Sequence, residues 1–164
     1  MKLKYISWIP AVVIIIMIFL YSSKPADDSN ASSLKIADKI FTMYEKITQT
    51  QYSGEEKLYI MGNINHIVRK SAHFCEYTIL SIAFAFHLLV IGTWRKRLII
   101  LPILLSFLNA SIDEFHQTFV QGRAGMFKDV ALDTLGAATG SVLFTLIAIG
   151  VVKLTSRKKT RMIN

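Results

Sequence analysis

His73 and Glu76 stand three residues apart, Asp113 and His116 three apart, and Asp129 and Asp133 four apart. On helices these spacings put each pair on one face. Imidazole beside carboxylate is the equipment of proton transfer, so His73, Glu76, Asp113, Glu114 and His116 are the candidates for acid–base work on a lipid-linked substrate. No recognisable nucleophile accompanies them, and the catalytic assignment stays open. The two His–carboxylate pairs also have the i, i+3 spacing that bundle metal sites use. They fit no specific zinc pattern, and no metal or other cofactor is expected. Arg69, Lys70 and Arg123 add cations suited to phosphate headgroups, while the carboxylates suit a cationic ligand. Recognition needs the fewest assumptions. The expected ligand-binding set is Arg69, Lys70, His73, Glu76, Tyr77, Asp113, Glu114, His116, Gln117, Arg123, Asp129 and Asp133.

These groups lie at the ends of apolar segments. Of 164 residues, 52% are hydrophobic, and the mean hydropathy is +0.43. Most of the excess falls in four runs, about Tyr5–Tyr21, Ala72–Gly92, Leu98–Phe119 and Val130–Val152. Helices near twenty residues are what a hydrocarbon core about 30 Å thick requires. The predicted fold is an all-α integral membrane protein, one domain over 1–164, with four transmembrane helices and an extracytoplasmic amphipathic helical segment over 34–71. Threaded up and down, the spans bring the whole polar set to one side of the membrane. Intramembrane ionisable groups are functional-site hypotheses by default. The competing view is a clasp of ion pairs that merely holds three helix ends together.

The formal charge of +8 is about topology. Lys2 and Lys4, Arg95 to Arg97, and Lys153 to Arg161 hold ten of the nineteen basic residues. They share the other side, so the positive-inside rule predicts cytoplasmic termini at a plasma membrane. The run 157–161 reads as an anchor beside anionic lipid, and no nucleic-acid partner is expected. The first run is too long for the apolar stretch of a signal peptide and reads as an uncleaved span.

Residues 22–33, rich in Ser, Asp, Asn and Pro, read as an exposed loop. From Leu34, a stripe of Ile36, Ile40, Tyr44 and Ile47, joined by Ala37 and Phe41, predicts an amphipathic helix along the outer surface. Ser53 and Glu56 offer a capping box for a second helix. Pro102 is tolerated near the start of the third span. Gly136 and Gly140 form G-x-x-x-G, a close-packing signal either within the bundle or toward a partner helix. The lone Cys75 reads as packing, and His87 as a hydrogen-bonded packing residue.

Taken in order, Arg69 to Tyr77, Asp113 to Phe119, Gly122-Arg123, and Asp129-Val130 leading to Asp133 to Gly136 resemble the VanZ-like family of bacterial membrane proteins. Tyr21-Ser22-Ser23-Lys24-Pro25 is similar to that family's short motif after its first span. The resemblance covers essentially the whole chain. Gln121 stands where the family usually has proline, and Asp133 where asparagine is also common. The family takes its name from a protein conferring resistance to teicoplanin, a lipid-tailed glycopeptide. The resemblance implies an envelope role linked to glycopeptide tolerance, through binding or altering an outer-leaflet lipid-linked molecule. The expected partners are therefore membrane lipids, a lipid-linked envelope molecule or a lipoglycopeptide. The alternatives are a hydrolase or transferase acting on a lipid-linked cell-wall or teichoic-acid precursor, and a structural or accessory subunit using the Gly136–Gly140 seam.

Overall fold

A break near the start of the chain sets the first span. In the computed structural model, α1 (Lys2–Ile6) stops short of α2 (Ile9–Ser22). Pro10, in the first turn of α2, has no N–H to offer back to Ile6, so one ladder bond cannot form. The buried Ser7 at this break meets His87 Nδ1 at 2.9 Å, the packing bond expected of that histidine. The remaining helices are α3 (Ala26–Thr48), α4 (Gly54–Val90), α5 (Arg97–Gln117) and α6 (Phe127–Arg161). The structure describes residues 2–161, with side chains from 3 to 155, and these contain no strand. The anchor reading of the 157–161 side chains falls outside the described residues.

Four helices are long and apolar enough to cross a membrane: α1 with α2, α4, α5 and α6. Three of them, α4, α5 and α6, pack together, and α2 lies against α4 and α5. The buried positions are small or few: Ser81, Ala85, Ser106, Ala110, Ala137 and Ser141 are wholly covered, joined by Tyr77 and Leu80. Large apolar side chains such as Ile16, Leu108, Leu135 and Leu146 point outward. Helices in lipid gain nothing by hiding such residues from one another, and close backbone approach does the work instead. Gly136 faces the Phe74 carbonyl, and Gly140 faces the Thr78 carbonyl and the Ser81 hydroxyl. Thr78 Oγ1 crosses the seam to the Gly136 carbonyl at 3.0 Å. The G-x-x-x-G surface is filled by α4 of the same chain.

Two features of α3 differ from the sequence-based expectation. Residues 26–33 are helical, not loop: Pro25 precedes the helix, and Asp27 and Asp28 occupy its first turn, where the positive end of the helix dipole favours them. Ser33 satisfies its own hydroxyl on the Ser29 and Asn30 carbonyls, so polarity here does not break the helix. The second difference is the buried stripe. Ser33, Ala37 and Phe41 pack toward α4, while Ile36, Ile40, Tyr44 and Ile47 remain exposed. An antiparallel hairpin results, with Asn30 beside Arg69 at one end and Phe41 beneath Lys57 toward the other.

Helix α4 runs 37 residues without interruption at Gly62. At 1.5 Å per residue it is about 55 Å long, far more than a hydrocarbon core. Ser53 has the extended backbone of an N-cap, but its hydroxyl makes no capping bond. Tyr52 instead fixes the turn, its N–H bonding Glu45 Oε1 at 3.2 Å. Cys75, expected to pack, is exposed.

Candidate functional site

Each cluster reaches the polar end of the bundle for a local reason. Arg69, Lys70, His73 and Glu76 lie along one side of α4. Asp129 and Asp133 lie one turn apart on α6, which the glycine seam holds close to α4. Arg123 arrives on the loop between α5 and α6. Gly122 there has φ of +74°, and a Cβ would come within 3.0 Å of Ala26 Cβ. A residue other than glycine would be strained in conformation and crowded at once. The Ala26 N–H bonds the Gln121 carbonyl at 3.2 Å. Arg123 then donates from Nε to the Lys24 carbonyl at 3.0 Å and from Nη2 to the Tyr21 carbonyl at 3.4 Å. A cation over the C-terminal carbonyls of α2 is placed well against the helix dipole. Burial, reinforced by neighbouring Arg69, pulls the Arg123 guanidinium below its ordinary value, against Asp113 and Glu114. It remains a cation all the same.

The polar residues divide into three groups. Lys70 and Asp129 form an ion pair. Asp113 accepts from Gln117 Nε2 at 3.0 Å, and the buried Tyr77 donates to Asn109 Oδ1 at 3.4 Å. Glu114 accepts the Met126 N–H at 2.8 Å, while Gly125 packs on the Glu114 carbonyl. These are contacts within the bundle, and Lys70, Gln117 and Asp129 among them also line a cavity. His116 goes elsewhere: its ring lies against Phe19 of α2, tilted by 37° with centroids 4.6 Å apart. The structure does not bring His116 to the cavities described next.

His73, Glu76, Asp133, Arg69 and Arg123 form the group that remains. His73 Nδ1 lies 3.9 Å from the Asp133 carboxylate. Asp133 is completely buried, and neither its oxygens nor His73 Nδ1 has a hydrogen-bond partner among the described residues. Asp113 and Asp129, and against them Lys70 and Arg123, act electrostatically on the same imidazole. Two cavities flank it. One, of about 290 Å³, lies where α2, α3 and α4 meet and includes Ile18, Ile36, Val68, His73 and Glu76. The other, of about 270 Å³, includes Asn30, His66, Lys70, Gln117 and Asp129. Arg69, His73 and Arg123 line both. Among the described residues no three His, Cys, Asp or Glu side chains converge as metal ligands would.

Sequence reasoning missed the α3 wall of these cavities. Ser29, Ser32, Ser33 and Ile36 line the first, and Asn30 Oδ1 accepts from Arg69 Nη1 at 3.0 Å. Their i, i+3, i+4 spacing was the available signal.

With this geometry in view, the comparisons decide the family. The sequence profile of the VanZ/LLP1 family matches residues 7–148. The chain belongs to the VanZ/LLP1 family. No curated protein and no solved structure matches it. The VanZ/LLP1 stretch takes in the second and third membrane-length helices whole, most of the first and last, the Arg123 loop and both cavities. In this VanZ/LLP1 chain Tyr21 to Pro25 and Gly122-Arg123 are two halves of one contact.

Glu114 gives a test of that loop. Glu114→Ala leaves the Met126 N–H unpaired, at an expected cost of about 1–3 kcal/mol. Hydrogen exchange should accelerate across 122–126 while the glycine seam stays protected.

Proposed function

We propose that this VanZ-like membrane protein resides in the bacterial plasma membrane with both termini in the cytoplasm. Its polar end faces outward and binds or alters a lipid-linked envelope molecule of the outer leaflet, in a role linked to teicoplanin tolerance. The observation that carries the reading is the pair of cavities sharing Arg69, His73 and Arg123. Arg69 is bonded to a neutral amide and Arg123 to backbone carbonyls. Neither has a carboxylate within the 4.0 Å of an ion pair among the described residues, so both charges are free for an anionic headgroup. Ile18, Ile36 and Val68, which line the first cavity, suit the first carbons of a lipid tail. The teicoplanin link comes from the family's name alone.

Topology is tested in intact cells. With Cys75 replaced by serine, Ala124→Cys should react with a membrane-impermeant maleimide added from outside. Protection until the cells are lysed would reverse the orientation. Binding is tested with purified protein in nanodiscs. Arg69→Gln is expected to weaken capture of an anionic lipid about 10- to 100-fold, the value of one charge-assisted contact. Teicoplanin susceptibility of cells carrying Arg69→Gln at normal abundance should then match that of cells lacking the protein.

The accessory-subunit reading loses its main support, because α4 occupies the Gly136–Gly140 seam. The enzyme reading is favoured by a specific feature, the His73–Asp133 pair.

A further inference from the structure

We propose that the cavity pair hydrolyses lipid phosphomonoesters, with His73 as nucleophile and Asp133 as the positioning residue behind it. The inference rests on the reading that the cavities receive an anionic lipid headgroup.

The geometry of one imidazole carries it. His73 Nδ1 is sealed from solvent and faces Asp133 at 3.9 Å. The ring itself lines both cavities, so Nε2 on its far side is the atom offered to a ligand. A nucleophile in hand with an orienting partner is the arrangement that covalent catalysis uses. Arg69 and Arg123 lie on the same shared wall, where their charges meet the non-bridging oxygens of a phosphate. Charge development there is what phosphoryl transfer needs stabilised. Glu76 lines the first cavity one turn along α4 from His73 and supplies a carboxyl for proton carriage.

A clasp does not account for these atoms. Lys70 and Asp129 already make the ion pair that would hold α4 to α6. Asp133 is fully buried with both oxygens unpartnered, which costs stability. Packing alone is better served by an apolar side chain at that position. Beside an imidazole that acquires positive charge, a buried carboxylate has a use.

The reaction closes in two steps. The Nε2 lone pair forms an N–P bond while the P–O bond to the lipid breaks. The departing lipid oxygen takes its proton from the Glu76 carboxyl, giving the free lipid alcohol. Water then attacks phosphorus and passes a proton to the Glu76 carboxylate. The N–P bond breaks, its electron pair returns to Nε2, and inorganic phosphate leaves. Asp133 holds the Nδ1 side throughout and stabilises the charged ring.

The test uses the full chain in nanodiscs, with phosphatidic acid in one arm and a polyprenyl monophosphate in the other, each radiolabelled at phosphorus. Expected results are inorganic phosphate release in at least one arm, and an acid-labile, alkali-stable label on His73 after a basic quench. His73→Gln should abolish both. Asp133→Asn should retain lipid capture while lowering kcat about 10²- to 10⁴-fold and moving the pH–rate profile. If a His73 variant fails to fold, exogenous imidazole restoring release to His73→Gly keeps the test open. Capture of either lipid without release or label would overturn the chemistry and leave the binding reading intact. Release without a histidine label, or release surviving in a folded His73→Gln protein, would overturn it as well. Capture of neither lipid defeats both readings together.

Discussion

Gly136→Val should leave almost no folded protein in the membrane, and Gly140→Val should do nearly the same. A Cβ at position 136 would be driven into the Phe74 carbonyl, and one at 140 into the Thr78 carbonyl. Both are backbone atoms of a continuous helix, so no rotamer change relieves the clash. Overpacking a well-formed interface costs about 1–3 kcal/mol even where side chains can shift, and here the helices themselves must separate. That separation pulls Asp129 from Lys70 and Asp133 from His73. The controls are inside the same protein. A Cβ at Gly62 or Gly150 meets nothing within 4 Å. Gly62→Ala and Gly150→Ala should therefore be neutral or stabilising by up to about 1 kcal/mol, from helix propensity alone. Size-exclusion profiles and thermal unfolding in detergent distinguish the two classes. A monodisperse Gly136→Val protein with an unchanged midpoint would refute the close α4–α6 seam.

Asp133→Asn should raise stability and lower function together. The carboxylate is wholly buried and accepts no hydrogen bond from any described residue. An ionised carboxylate buried without a hydrogen bond bears a desolvation cost that a neutral amide escapes, so the substitution should be neutral to stabilising. The amide keeps the shape of the side chain, so the packing against α4 should hold. A midpoint that rises while phosphate release disappears marks a residue retained for chemistry. A midpoint that falls sharply, with loss of the α4–α6 contact, marks a structural clasp instead. Sites that work against stability are common where activity depends on a strained or charged group.

How much of this was written in the sequence depends on what kind of signal each feature leaves. The four spans were legible because an apolar run near twenty residues has one economical solution in lipid. The glycine seam was legible as close packing, though not which helix would fill it. The polar layer was legible by register: His73 and Asp133 come to one level because the apolar runs 72–92 and 130–152 both begin near that side. What failed was α3. Its first turns are Ser, Asp and Asn, residues that bond backbone in turns as readily as they cap helices. Here Ser33 makes those bonds inside the helix, so composition misled. The cavity wall of Ser29, Ser32 and Ser33 was lost with it. Glu114 and His116 were chosen by residue type, which could not foresee their neighbours, the Met126 N–H and the Phe19 ring.

The Lys70–Asp129 pair joins residues 59 apart in the chain. At about 5–20 residues per second, the ribosome needs about 3–12 s to deliver the second after the first. Through that interval α4 is in the bilayer with an unneutralised ammonium and a histidine lacking its carboxylate. A chain truncated before α6 presents the insertion machinery with a charged helix whose acidic partners never arrive.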